Sequence, residues 1–78
     1  MPKIISDTVI DVRGLACPRP LLKTKQLLSE MDPGQVLHVI ANDVTTRSTI
    51  RAYLGHSGDK LIKIDEDGAE LHHFIKKK

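Results

Sequence analysis

Val36–Ala41, VLHVIA, is the stretch on which the fold turns. It is short, nearly continuous in apolar character and rich in β-branched residues, as a central strand is. Side chains alternate along a strand, so Leu37 and Val39 are expected on one face of the sheet and Val36, His38 and Ile40 on the other. Upstream, Asp32, Pro33 and Gly34 form a stop, because proline cannot continue a helix and glycine permits the reversal. Before that stop, Leu21, Thr24, Leu27, Leu28 and Met31 recur at three- and four-residue spacings, predicting a helix over residues 18–31 with one buried side.

Residues 8–13, TVIDVR, alternate in polarity and end at Gly14, which predicts a first strand. Downstream, Asp43 is placed to N-cap a second helix running to about residue 54, with Thr46, Ile50, Tyr53 and Leu54 facing inward. Thr45, Thr46 and Thr49 weaken that helix. After the loop GHSGD, residues 60–64 and 69–75 flank the turn DEDG and read as a hairpin. The order is β-α-β-α-β-β, without repeat or linker. Right-handed crossovers put both helices on one sheet face, giving a two-layer α/β (α+β) sandwich with a mixed four-stranded sheet and a single domain over residues 1–78. Val36, His38, Ile40, His72 and Phe74 then occupy an open face, either a partner or dimer surface or an ordinary scatter of apolar side chains.

Length and composition narrow the function. A chain of 78 residues with 40% apolar content supports one thin core and no deep substrate cavity. Its single cysteine, Cys17, rules out an internal disulfide framework and predicts a reducing, cytoplasmic setting. No apolar run has the length of a membrane span, and the start MPKIISDTVI lacks the features of a signal peptide. The net charge of +2 comes mostly from Lys76, Lys77 and Lys78. With Tyr53 and Phe74 as the only aromatic residues, there is no stacking set for nucleic acid, and direct nucleic-acid binding is not expected.

The thiol sits in GLACPRPLLK, residues 14–23. Pro18 suits a first helical position, which would make Cys17 the N-cap, and Pro20 is tolerated in the same turn because its missing N–H has no intrahelical partner there. The N–H of Arg19, the helix dipole and the guanidinium groups of Arg13 and Arg19 would favour thiolate over thiol. Free cysteines are often small buried hydrophobes, but cysteine is a poor N-cap, and a local rule broken without structural benefit points to function. Leu22 lies off the inward stripe, beside Pro18, Arg19, Lys25 and Gln26. Leu22 and Arg13 are therefore candidates for partner docking.

These residues resemble the TusA-like (SirA-family) sulfur carriers. The resemblance rests on Asp11-Val12-Arg13-Gly14-Leu15-Ala16-Cys17-Pro18-Arg19-Pro20-Leu21, with its Cys-Pro-x-Pro motif, and continues through Pro33-Gly34, Asn42-Asp43, Ile50 and Gly58. It implies a persulfide relay. Cys17 would accept sulfane sulfur from a protein donor, a cysteine desulfurase or rhodanese-like protein, and pass it to a protein acceptor. Known destinations are tRNA thiolation, molybdenum cofactor synthesis and sulfur oxidation. Pro18, Pro20, Arg19 and Gly14 would shape the site, Asp43 would lie near it, and no cofactor or metal is implied beyond the covalent sulfur. The chain departs from the common pattern at Arg19, often acidic, at Val44, often proline, at Thr49, often aspartate, and at Asp59, where Gly-His is common.

Two rival readings carry less of the sequence. A Cys/His enzyme has His38, His56, His72 and His73 available, but a self-contained hydrolase also needs an oriented base and an oxyanion site. Surface histidines are the simpler expectation, and His72 and His73, adjacent on a strand, point to opposite faces and do not form a metal pair. The second rival is a non-catalytic regulatory or RNA- or protein-binding module with a redox-sensing cysteine.

Overall fold

The computed structural model describes residues 7–16 and 18–78. Cys17 lies outside the described residues, and the N-cap role expected for it is corrected: Pro18 holds that position on the first helix. The elements are β1 (Thr8–Asp11), α1 (Arg19–Glu30), β2 (Val36–Ala41), α2 (Thr46–Ser57), β3 (Lys60–Asp67) and β4 (Glu70–Lys76). The strands form one mixed sheet in the order β1-β2-β4-β3. β1 runs parallel to β2, and β4 is antiparallel to both β2 and β3. β1, β2 and β3 therefore point the same way, as strands joined through helices must.

The alternation expected for the central strand is present. Leu37, Val39 and Ala41 are buried, while Val36, His38 and Ile40 are only half-buried. Leu28 of α1, Ile50 and Leu54 of α2 and Ile75 of β4 complete one core with Leu37, Val39 and Ala41, so both helices cover the same face. A thickness of 18 Å leaves room for one sheet and one helical layer. None of the described helices is long and apolar enough to cross a membrane.

Several boundaries differ from the sequence reading. α2 extends to Ser57, where Gly58 at φ 86° closes it with its N–H on the Leu54 carbonyl at 3.1 Å. Asp43 is not its N-cap. Thr45 holds that position, and the Asp43 carboxylate accepts from both the N–H (2.9 Å) and the hydroxyl (2.7 Å) of Thr45. An aspartate two residues ahead closes a local turn in this way. The hairpin is tighter than expected, because Asp67 pairs with Glu70 and only Gly68 and Ala69 remain in the turn. The lysine tail is fastened as well as solvated. Lys77 exchanges backbone bonds with Gln35 (2.7 Å) and Gly34 (2.9 Å), and the Lys78 N–H donates to Asp59 Oδ1 at 2.8 Å.

Candidate functional site

The segment between β1 and α1 is held from three sides. Gly14 adopts φ 83°, a conformation that a Cβ would strain, and its N–H donates to Asn42 Oδ1 at 3.0 Å. Asn42 follows β2, so the amide ties this segment to the central strand. Val12 is fully buried, and its N–H donates to the Ile40 carbonyl at 2.8 Å. Arg13 forks between two carboxylates. Its Nη2 donates to Asp11 Oδ2 at 2.7 Å and its Nη1 to Glu70 Oε2 at 2.6 Å.

That fork corrects the part expected of Arg13. Its charge is opposed by two carboxylates, so the cluster is net negative and gives little positive field to a neighbouring thiol. Hydrogen bonds from Arg13 hold the Asp11 carboxyl down to about 2, and Arg13 likewise lowers Glu70. Arg13 is accordingly an anchor for the strand end.

The helix start also differs from the sequence reading. Pro18, at φ −100° and ψ 14°, is the N-cap and makes no side-chain cap hydrogen bond, so it is not the first helical residue. Pro20 accordingly occupies the second helical position. The Arg19 N–H, expected to face the sulfur, donates to the Ala16 carbonyl at 2.9 Å, closing a turn ahead of the helix. Pro20 is buried, and the buried Thr24 hydroxyl donates to its carbonyl at 2.8 Å, seating the first two turns of α1 on the core. Ala16 and Pro18, the chain neighbours of Cys17, are both exposed. Leu22 is 55% exposed, as its place on the helical wheel predicts.

An open depression of about 340 Å³ lies along this helix start, lined by Leu15, Arg19, Leu22, Lys23 and Gln26. No carboxylate lines it among the described residues. The sequence reading placed Leu22 and Arg19 here but missed Leu15 and Lys23. Lys23 carries the i, i+4 relation to Arg19 that would have identified it.

The histidines fall elsewhere. His38 and His72 share the open sheet face with Phe74, opposite the helices. His38 Nε2 lies 2.8 Å from His72 Nδ1, and His38 stacks on Phe74 at 4.4 Å. His72 Nε2 lies 3.1 Å from Glu70 Oε1. With both rings neutral, His38 donates to His72 and His72 to Glu70. Burial, then the neighbouring His72, lowers the pKa of His38. Asp67, Glu70 and His72 bring ligand-type atoms within 4.8 Å, a grouping the sequence reading did not foresee. Both Glu70 oxygens are engaged by Arg13 and His72, so the grouping is explained as an ion-pair network.

His73 corrects the expectation of surface histidines. It is fully buried on the helix side, and neither ring nitrogen has a partner in hydrogen-bond geometry. Burial pushes its pKa down to about 4, opposed by the Val39 and Leu71 backbone and aided by the charges of Arg47 and His72.

Comparison with known proteins agrees with this picture. The family described as Sulfurtransferase TusA matches residues 8–77. The chain is 41% identical over 71 residues to a protein named sulfur carrier protein TusA from Allochromatium vinosum, covering 91% of this chain and 93% of that one. It is 33% identical over 78 residues to a protein of the same name from Pseudomonas putida, covering 100% of this chain and 98% of that one. The crystal structure of a SirA-like protein from Desulfitobacterium hafniense superposes with a TM-score of 0.79 at 23% identity, covering 88% of this chain and 95% of that one, and shares the fold.

Proposed function

The chain belongs to the TusA sulfurtransferase family, and from that membership we propose that it is a sulfur carrier which holds sulfane sulfur as a persulfide on Cys17 and exchanges it with partner proteins. The Cys17 thiolate attacks the outer sulfur of a donor persulfide. A new S–S bond forms at Cys17, the donor's S–S bond breaks, and the donor departs as a thiolate. Reversing the roles delivers the sulfur to an acceptor. No oxidant or second cysteine enters, since one thiolate is exchanged for another.

The observation that carries this reading is the placement of the sole thiol. Cys17 stands between two exposed residues, after a segment fastened to Asn42 and Glu70 and before a helix seated through Pro20 and Thr24. Pro18 and Pro20 fix the backbone there, Gly14 permits the preceding turn, Arg19 supplies an adjacent cation, and Asp43 organises the neighbouring loop. An open depression suits exchange between proteins better than turnover of an enclosed substrate. Sulfur from a cysteine desulfurase or rhodanese-like donor, destined for tRNA thiolation, molybdenum cofactor synthesis or sulfur oxidation, fits this chemistry.

Intact-mass spectrometry after incubation with a cysteine desulfurase and cysteine, or with a rhodanese-like protein and thiosulfate, tests the proposal. The expected result is one added sulfur that reductant removes and that Cys17→Ser does not acquire. A binding module would keep its activity in Cys17→Ser, and wild-type protein that gains no sulfur from either donor would refute the carrier role.

A further inference from the structure

We propose that the depression along the start of α1 is a docking groove for an acidic, apolar-tipped surface of the protein that exchanges sulfur with Cys17. This rests on the carrier reading and names the chemistry of its partner. The groove spans two turns of α1, where Arg19, Leu22, Lys23 and Gln26 share a face by their three- and four-residue spacings, and Leu15 closes it from the preceding segment. An apolar centre with a charged rim is the anatomy of a protein contact. Leu22 supplies the centre, exposed at 55% on an otherwise polar stretch.

The sign of the charge identifies the partner. Several cations elsewhere on the fold are engaged. Arg13 is held by Asp11 and Glu70, Arg47 by Glu66 and Lys63 by Asp65, while Lys25 lies over the Tyr53 ring at 5.4 Å. Arg19 and Lys23 form no ion pair among the described residues, and no acidic side chain lines the groove. The first turn of α1 also holds no acidic residue, so the helix dipole adds to the same positive end. The rim of the groove is therefore positive, with two cations and the helix end unopposed by any carboxylate among the described residues that line it. Carboxylates flanking an apolar side chain on the partner would meet both rim and centre, and the field would steer their approach.

The experiment follows the initial rate of persulfide transfer to Cys17 from the protein donor that loads wild-type chain, and from inorganic polysulfide, at low and high ionic strength. The reaction of each variant with iodoacetamide serves to normalise for any change at the thiol. The proposal predicts that rising salt slows protein-donor transfer to wild type. Lys23→Glu should slow it about tenfold after normalisation and abolish the salt dependence, and Lys23→Gln should lie between. Leu22→Ser should slow transfer while keeping the salt dependence, because it removes contact and not steering. Transfer indifferent to Lys23→Glu and to salt overturns the groove while leaving the carrier reading intact. An equal loss with polysulfide makes the depression a small-anion subsite and overturns the protein partner. Loading from neither donor removes the carrier reading, and the groove falls with it.

Discussion

His73 shows at the scale of one residue what the sequence conceals. An imidazole on β4 faces the helices, fully buried, with both nitrogens unpartnered. Its neutral form is the one that folds. With a folded pKa near 4 against 6.5 when free, the unfolded chain binds the proton first. The contribution of His73 is therefore intact above pH 6.5 and is lost as pH falls toward 4. The limiting slope is about 1.4 kcal/mol per pH unit. Chemical denaturation at stepped pH should show stability declining over that window in wild type. His73→Leu should be more stable at pH 5 and lose most of that slope, since leucine has no polar atoms to desolvate. The alternation of β4, with His72 on the open face, already assigned His73 to the helix side; what it could not give is that the ring is fully covered there without a partner. Pairing to Val39, an inward residue, agrees with that assignment. Arg13 was legible as a charge and illegible as an anchor for a similar reason. Its partner Glu70 lies 57 residues away in the chain.

At the scale of the element, the apolar period of α1 predicted its face well and its start less well. Leu28 is buried and Leu22 exposed on one helix, as the wheel requires. Leu28→Ala should cost about 2–5 kcal/mol in equilibrium unfolding, through lost burial and the cavity left behind. Leu22→Ala should stay within about 0.5 kcal/mol. Comparable losses at the two positions would contradict the assigned face. The helix start slipped by one residue because proline at a first helical position is only a preference, and here a local turn from Ala16 to Arg19 precedes the helix. The hairpin turn was read too long for a related reason. Asp65 and Asp67 look like loop residues by composition, yet both pair within the β3–β4 ladder, with Asp65 opposite His72.

At the scale of the whole molecule, one thin core holds two helices on a mixed sheet and leaves two surfaces with different chemistry. The open sheet face carries the linked His38, His72 and Glu70 network, and the start of α1, which follows Cys17 in the chain, carries Arg19 and Lys23 without ion pairs among the described residues. The order of elements, the layers and the thiol's place before α1 were all readable from period and punctuation. The basic groove was not, because it depends on which cations find carboxylates in three dimensions. The central claim is that this scaffold holds one transferable sulfur atom on Cys17. Cyanolysis of donor-loaded, gel-filtered protein tests it most directly, since cyanide takes the outer sulfur of a persulfide as thiocyanate and returns the thiol. The account predicts one equivalent of thiocyanate per loaded chain and none from Cys17→Ser. Loaded wild-type protein that releases no thiocyanate would contradict it.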